Sequence, residues 1–114
     1  MDFGLRGKRA LVMASSRGLG LGCAEMLAAD GVTVNMLLPG RSHTERVDEL
    51  DAAASERTGK SLGETRTASR ATTPAGRYGT VAEFASVCAF LASTHASYVT
   101  GGMIRCDGGA IKSV

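Results

Sequence analysis

Residues 31–44 read GVTVNMLLPGRSHT, and the reading of this stretch decides the fold. Val32 to Leu38 is an apolar run of strand length, closed by Pro39-Gly40. From the N-terminal side it suits a strand that follows a helix in a βαβ unit. From the C-terminal side it suits a strand that ends in a functional loop. One strand with two roles suggests a seam between parts of a larger fold.

Working outward to the left, KRALVM at residues 8–13 predicts a short strand. ASSRGLGLG follows at 14–22, with glycines at 18, 20 and 22. From Gly18 to Asp30 the positions Leu19, Cys23, Met26 and Leu27 fall on one helical face, and Gly31 is a natural stop. A strand, a glycine turn and a helix make a setting for phosphate: backbone N–H groups approach closely and the helix N-terminus is electropositive. The same pattern also serves an ordinary strand-to-helix turn, and the two readings stay open at this level.

To the right, residues 44–71 have a weak helical pattern. Gly59 divides it, and Ser61-x-x-Glu64 predicts a capping box for a second short helix. The basic residues Arg41, Arg46, Arg57, Lys60, Arg66 and Arg70 alternate here with Glu45, Asp48, Glu49, Asp51, Glu56 and Glu64, which reads as a solvated face. Residues 72–79 form a loop. Thr80-x-x-Glu83 predicts a further cap before an apolar helix carrying the stripe Val81, Phe84, Ala85, Cys88 and Leu91, with Val87 and Phe90 beside it. So apolar a helix expects cover on two faces, a sheet on one and a second chain on the other. A last short strand is expected at Met103–Cys106, before the turn Asp107-Gly108-Gly109.

Composition bounds the rest. The 114 residues allow one domain, 1–114, divided here into 1–34 (the first βαβ) and 35–114. A net charge of +2, with scattered basic residues, is too weak to argue for nucleic acid, and no nucleic-acid partner is expected. No long apolar span or signal peptide is evident, so no membrane partner is expected. Cys23, Cys88 and Cys106 lack metal or redox spacing and read as small hydrophobes of a reducing, cytoplasmic protein. His43 and His95 have no partner pattern, and no metal site is expected.

VMASSRGLGLG resembles the TGxxxGxG cofactor loop of the short-chain dehydrogenases/reductases, with Met13-Ala14 where the family usually has Thr-Gly. Asn35-x-x-x-Pro39-Gly40-x-x-x-Thr44 resembles the family's NxxxPGxxxT segment. PAGRYGTVAEFASVCAFLAS and SYVTGGMIRCDGG resemble its penultimate helix and last strand. The likeness runs in two blocks, about 5–34 and about 32–114, and its flavour is that of bacterial 3-oxoacyl-[acyl-carrier-protein] reductases. It implies an α/β fold: a truncated Rossmann-like unit with a small, mostly parallel sheet of about three strands and flanking helices.

The resemblance further implies cofactor contacts at Ser15, Ser16, Arg17, Gly18, Leu19 and Gly20, with Arg17 favouring the 2′-phosphate of NADP. Pro39, Gly40 and Thr44 would hold the nicotinamide end. The charged residue expected after the second strand is absent unless Arg41 takes its place. The family's catalysis needs a Tyr-x-x-x-Lys pair and a preceding Ser, with Tyr as general acid. Tyr78 is followed four residues later by Ala82 and Tyr98 by Gly102, so no catalytic residue is assigned. Members are roughly twice this length, and the missing part corresponds to the middle of the fold.

The expectation is therefore a catalytically inactive remnant whose NADP binding is weak or lost. It would self-associate as a homo-oligomer, because lost strands leave open edges. The alternative is an active NADPH-dependent oxidoreductase of 3-oxoacyl thioesters, with acyl-carrier protein as partner, if a middle segment exists outside this sequence. Residues 32–37 have two possible neighbours: the late strand alone, or also 8–13 through a right-handed crossover.

Overall fold

The computed structural model describes residues 4–12 and 18–112. In chain order the elements are β1 (Arg9–Leu11), α1 (Gly18–Ala29), β2 (Thr33–Pro39), α2 (Glu45–Thr58), α3 (Leu62–Ala71), α4 (Val81–Ala92) and β3 (Met103–Cys106), with a 3-10 turn at Thr94–Ala96 before β3. This is the α/β arrangement expected, to within a residue or two at most ends. The chain divides into two compact units, Met1–Leu38 with Ala85–Arg105, and Pro39–Phe84 with Cys106–Val114.

The first unit is built on a three-stranded sheet ordered β1-β2-β3. The pairing of β2 settles which neighbours this stretch takes. The strand pairs in parallel with β1, in the register Arg9↔Thr33, Ala10↔Val34 and Leu11↔Asn35. On its other side the Gly101 N–H donates to the Val34 carbonyl (2.7 Å) and the Met36 N–H to the Gly102 carbonyl (2.9 Å). The stretch thus takes both neighbours at once and becomes the central strand. Successive residues Val34 and Asn35 are both buried, as a strand covered on both faces requires. Val32, Leu37, Leu91 and Ala96 complete the small core.

Asn35 is 3 % exposed, yet its amide is satisfied. It donates to the Val99 carbonyl (2.8 Å) and accepts from the Gly102 N–H (3.1 Å). Thr100 Oγ1 accepts from the Val34 N–H at 3.1 Å. This one polar residue fixes the chain leading into β3, and a buried amide without these partners would be costly. At the far end of α4, Arg9 Nε donates to the Ala92 carbonyl (2.9 Å), meeting one of the acceptors that every helix C-terminus leaves open.

Two expectations about faces are corrected. On α1 the stripe Leu19, Cys23, Met26, Leu27 was expected to be the inner one. Leu19 is 91 % exposed, Met26 68 %, and Cys23 is exposed; only Leu27 is half-buried. The residues of α1 that line a cleft beside β2 are instead Leu21, Ala24, Glu25 and Ala28, of which only Ala24 is half-buried. The helix has apolar residues nearly all round and a single charge, so its periodicity gave no reliable phase. On α4 only Leu91 is fully buried; Phe84 and Cys88 are half-buried, and Val81 and Phe90 are exposed.

In the second unit α2 and α3 pack together. Thr44 caps α2, and Gly59 ends it in the left-handed conformation at φ 71°, its N–H donating to Ser55 O. The Ser61–Glu64 capping box is formed in both directions (3.2 and 3.1 Å). The second cap also forms: the Glu83 N–H donates to Thr80 Oγ1 (3.1 Å) and the Thr80 N–H to Glu83 Oε2 (2.7 Å). Asp107 folds its own turn, accepting from the Gly109 and Ile111 N–H groups. Among the described residues no helix is long and apolar enough to cross a membrane.

Candidate functional site

The residues singled out in the sequence fall in the two units. Ser15, Ser16 and Arg17 lie outside the described residues. Gly18 opens α1 with φ +64°, a conformation natural only to glycine, and a Cβ there would meet nothing within 4 Å. Leu19 is exposed and Gly20 half-buried in the same first turn.

Pro39, Gly40 and Thr44 are brought together in the second unit. They line a cleft of about 250 Å³ with Ser42, Val47, Val81 and Phe84. Gly40 is there because nothing larger fits: a Cβ would lie 2.5 Å from Asp107 Cα. The Gly40 N–H donates to the Cys106 carbonyl at 3.0 Å, so the turn is tied to the end of β3. Thr44 Oγ1 is engaged as the α2 cap, accepting from the Val47 N–H at 3.3 Å. The cleft therefore has an apolar wall from Val47, Val81 and Phe84 and a polar corner at Ser42 and Thr44. Val81 and Phe84 carried no sign of this in the sequence, where they read only as helix core.

A second cluster escaped the sequence reading. Asp51 is 1 % exposed. Tyr78 Oη donates to its Oδ2 at 2.8 Å, and Arg41 Nη1 donates to its Oδ1 at 3.0 Å. Arg66 Nε sits 3.6 Å from Oδ2 while its Nη2 reaches Asp48 at 2.7 Å. Arg70 stacks over the Tyr78 ring, 5.4 Å from the centroid. The charged stretch is thus not wholly a solvated face. The available signal was spacing: Asp51 follows Val47 by four residues, and Val47 is buried, so both share the inner face of α2. Arg41, half exposed, places one of its guanidinium nitrogens on this carboxylate.

The two tyrosines sit in different settings. Tyr78 is 7 % exposed with its hydroxyl held by a carboxylate, and Tyr98 is fully exposed. Among the described residues no group of three or more His, Cys, Asp and Glu gathers as metal ligands.

Residues 14–110 match the family model described as enoyl-(acyl carrier protein) reductase. A solved short chain dehydrogenase family protein from Francisella tularensis superposes with a TM-score of 0.73 at 28% identity, over 81% of this chain and 38% of that one. The chain belongs to the short-chain dehydrogenase/reductase family. A 3-oxoacyl-[acyl-carrier-protein] reductase of Vibrio cholerae is 41% identical over 86 residues, 75% of this chain and 31% of that protein. A putative 2-deoxy-d-gluconate 3-dehydrogenase of Agrobacterium tumefaciens, solved with bound NADP, gives a TM-score of 0.64 at 26% identity, over 92% of this chain and 47% of that one. The chain spans about a third of the length of the curated relatives it matches.

Proposed function

We propose that this chain is a remnant of an NADP-dependent short-chain reductase of the 3-oxoacyl-[acyl-carrier-protein] reductase type, catalytically inactive as it stands, self-associating, and with at most weak dinucleotide binding. One observation carries the reading. The chain has two tyrosines, neither followed by a lysine at the fourth position, and one of them spends its hydroxyl on a buried aspartate. Reduction of a carbonyl by this family's chemistry needs a proton donor held beside a lysine. The glycine turn at Gly18 and the cleft at Pro39, Gly40 and Thr44 support residual affinity for NADP. The family strands that complete the adenine pocket have no counterpart here, which supports weak binding.

Self-association as a homo-oligomer is supported by the apolar side chains left in solvent, Leu19, Met26 and Phe90 among them, and by a sheet of three strands with two outer strands. The cytoplasm, a reducing compartment, accords with three free cysteines.

The test has two arms. NADPH oxidation with an acetoacetyl thioester is expected to stay at the rate without protein, and a fluorescence titration to give an NADPH dissociation constant of about millimolar. Turnover abolished by one substitution in this chain would overturn the inactive reading. Micromolar binding would overturn the weak-cofactor reading.

A further inference from the structure

The first unit contains a cleft of about 320 Å³. Its walls are Leu21, Ala24, Glu25 and Ala28 of α1, Val34, Asn35 and Met36 of β2, and Thr100–Gly102. It exists because of the phase of α1. The helix presents alanines to the cleft at 24 and 28, while Leu19 and Met26 are exposed. Small residues where a core expects large ones leave space. Glycine continues the pattern on the opposite wall: Gly101 sits at φ 69°, and a Cβ on Gly102 would lie 2.8 Å from Ile104 Cδ1.

The lining is mostly apolar. Its polar groups are already occupied, with one exception: Asn35 is satisfied by Val99 and Gly102, and Thr100 Oγ1 accepts from Val34. The exception is Glu25. It is the only charged residue of α1 and of the cleft, and among the described residues it has no salt bridge or hydrogen bond. An open, mostly apolar cleft with one unpaired carboxylate in its lining is complementary to one kind of small molecule.

We propose that this cleft is a binding site for a small amphipathic cation, an apolar body of about ten heavy atoms ending in a protonated amine. The volume lies at the lower end of the range for small-molecule sites, ~300–1,000 Å³. The apolar body displaces water from Leu21, Ala24, Ala28, Val34 and Met36. The ammonium meets Glu25. An anion is disfavoured by the same carboxylate. Because Glu25 is exposed, the charge contributes selectivity more than affinity.

The probes are 4-phenylbutylamine, 4-phenylbutanol and 4-phenylbutyrate, followed by backbone amide NMR at Gly101 and Gly102 at pH 7. We expect saturable shifts with a dissociation constant of about millimolar for the amine. The amine should bind about two- to fivefold tighter than the alcohol, and the acid weakest. Glu25→Gln should bring the amine to the level of the alcohol and leave the alcohol unchanged. Ala24→Phe should abolish binding of all three, and Ala28→Leu, a smaller filling change, should weaken all three if the first variant does not fold. Absence of saturable shifts in the unmodified chain, equal binding of the three compounds, or indifference to the filling variants would overturn the site. So would amine affinity that falls as chain concentration rises, because a second copy would then occupy the cleft.

Discussion

At the scale of single residues, the second unit depends on Asp51. A carboxylate 1 % exposed is tolerable only because a hydroxyl and a guanidinium hydrogen-bond it. Tyr78→Phe removes a hydrogen bond to a charged acceptor and is expected to cost about 1.5–3 kcal/mol. Asp51→Asn removes the charge facing Arg41 and Arg66. These arginines are 49% and 29% exposed, so water partly compensates them, and a cost of about 1–3 kcal/mol is expected. Urea midpoints of the two variants check both. A double variant less destabilised than the sum of the singles would confirm that they act through one network. Gly40→Ala is expected to be worse than either single change if Asp107 cannot yield. Its new Cβ would meet Asp107 Cα at 2.5 Å and Cβ at 2.7 Å, and backbone is not free to rotate away. The same urea series reads it. The Pro-Gly turn was legible in the sequence. The need for glycine at 40 was not, because Asp107 lies far along the chain.

At the scale of elements, signals carried by short-range hydrogen bonds were read accurately. Both capping boxes, Ser61–Glu64 and Thr80–Glu83, form as their spacing predicts. The second gives a pH prediction. The Glu83 carboxyl is held down at about 2, chiefly by its hydrogen bonds from Arg77 at 2.6 and 3.0 Å and then by the Thr80 backbone N–H. The Arg77 guanidinium is raised in turn by the same carboxylate. An unfolded glutamate titrates near ~4.3. Because the folded value is the lower one, the contribution is fully present above about 4.3. It is lost as pH falls through about 2. Stability of the α4 N-terminus, followed by helical circular dichroism, should decline across that window, and Glu83→Gln should flatten the decline. What failed at this scale was the phase of α1. Periodicity locates a buried face only when the other face is polar, and Gly18–Ala29 offers one charged residue. The pairing of β2 with β1 was likewise left between two possibilities, since parallel pairing depends on contacts far apart in sequence.

At the scale of the whole chain, the family match covers both ends of the sequence while the chain spans about a third of its relatives. One strand reconciles these facts. β2 has a residue pattern fit to follow α1 and equally fit to precede the Pro-Gly turn, and it pairs with β1 and β3 together. A sheet ordered in this way keeps its central strand buried, while among the described residues β1 and β3 each have one strand neighbour. Outer strands and solvent-facing leucine and methionine on α1 are what the proposed association with further copies rests on. The expected consequence is a midpoint of thermal unfolding that rises with chain concentration, as mass action requires when folding and association are linked. Leu19→Lys with Met26→Lys tests where the association resides. Both side chains are exposed, so the charges cost the single chain little, yet they would face each other across any contact made by α1. Light scattering should then show a smaller particle, and the concentration dependence of the midpoint should weaken. A single chain at all concentrations, with a midpoint that does not move, would remove self-association from the proposal and leave the exposed stripe of α1 uncovered in solution.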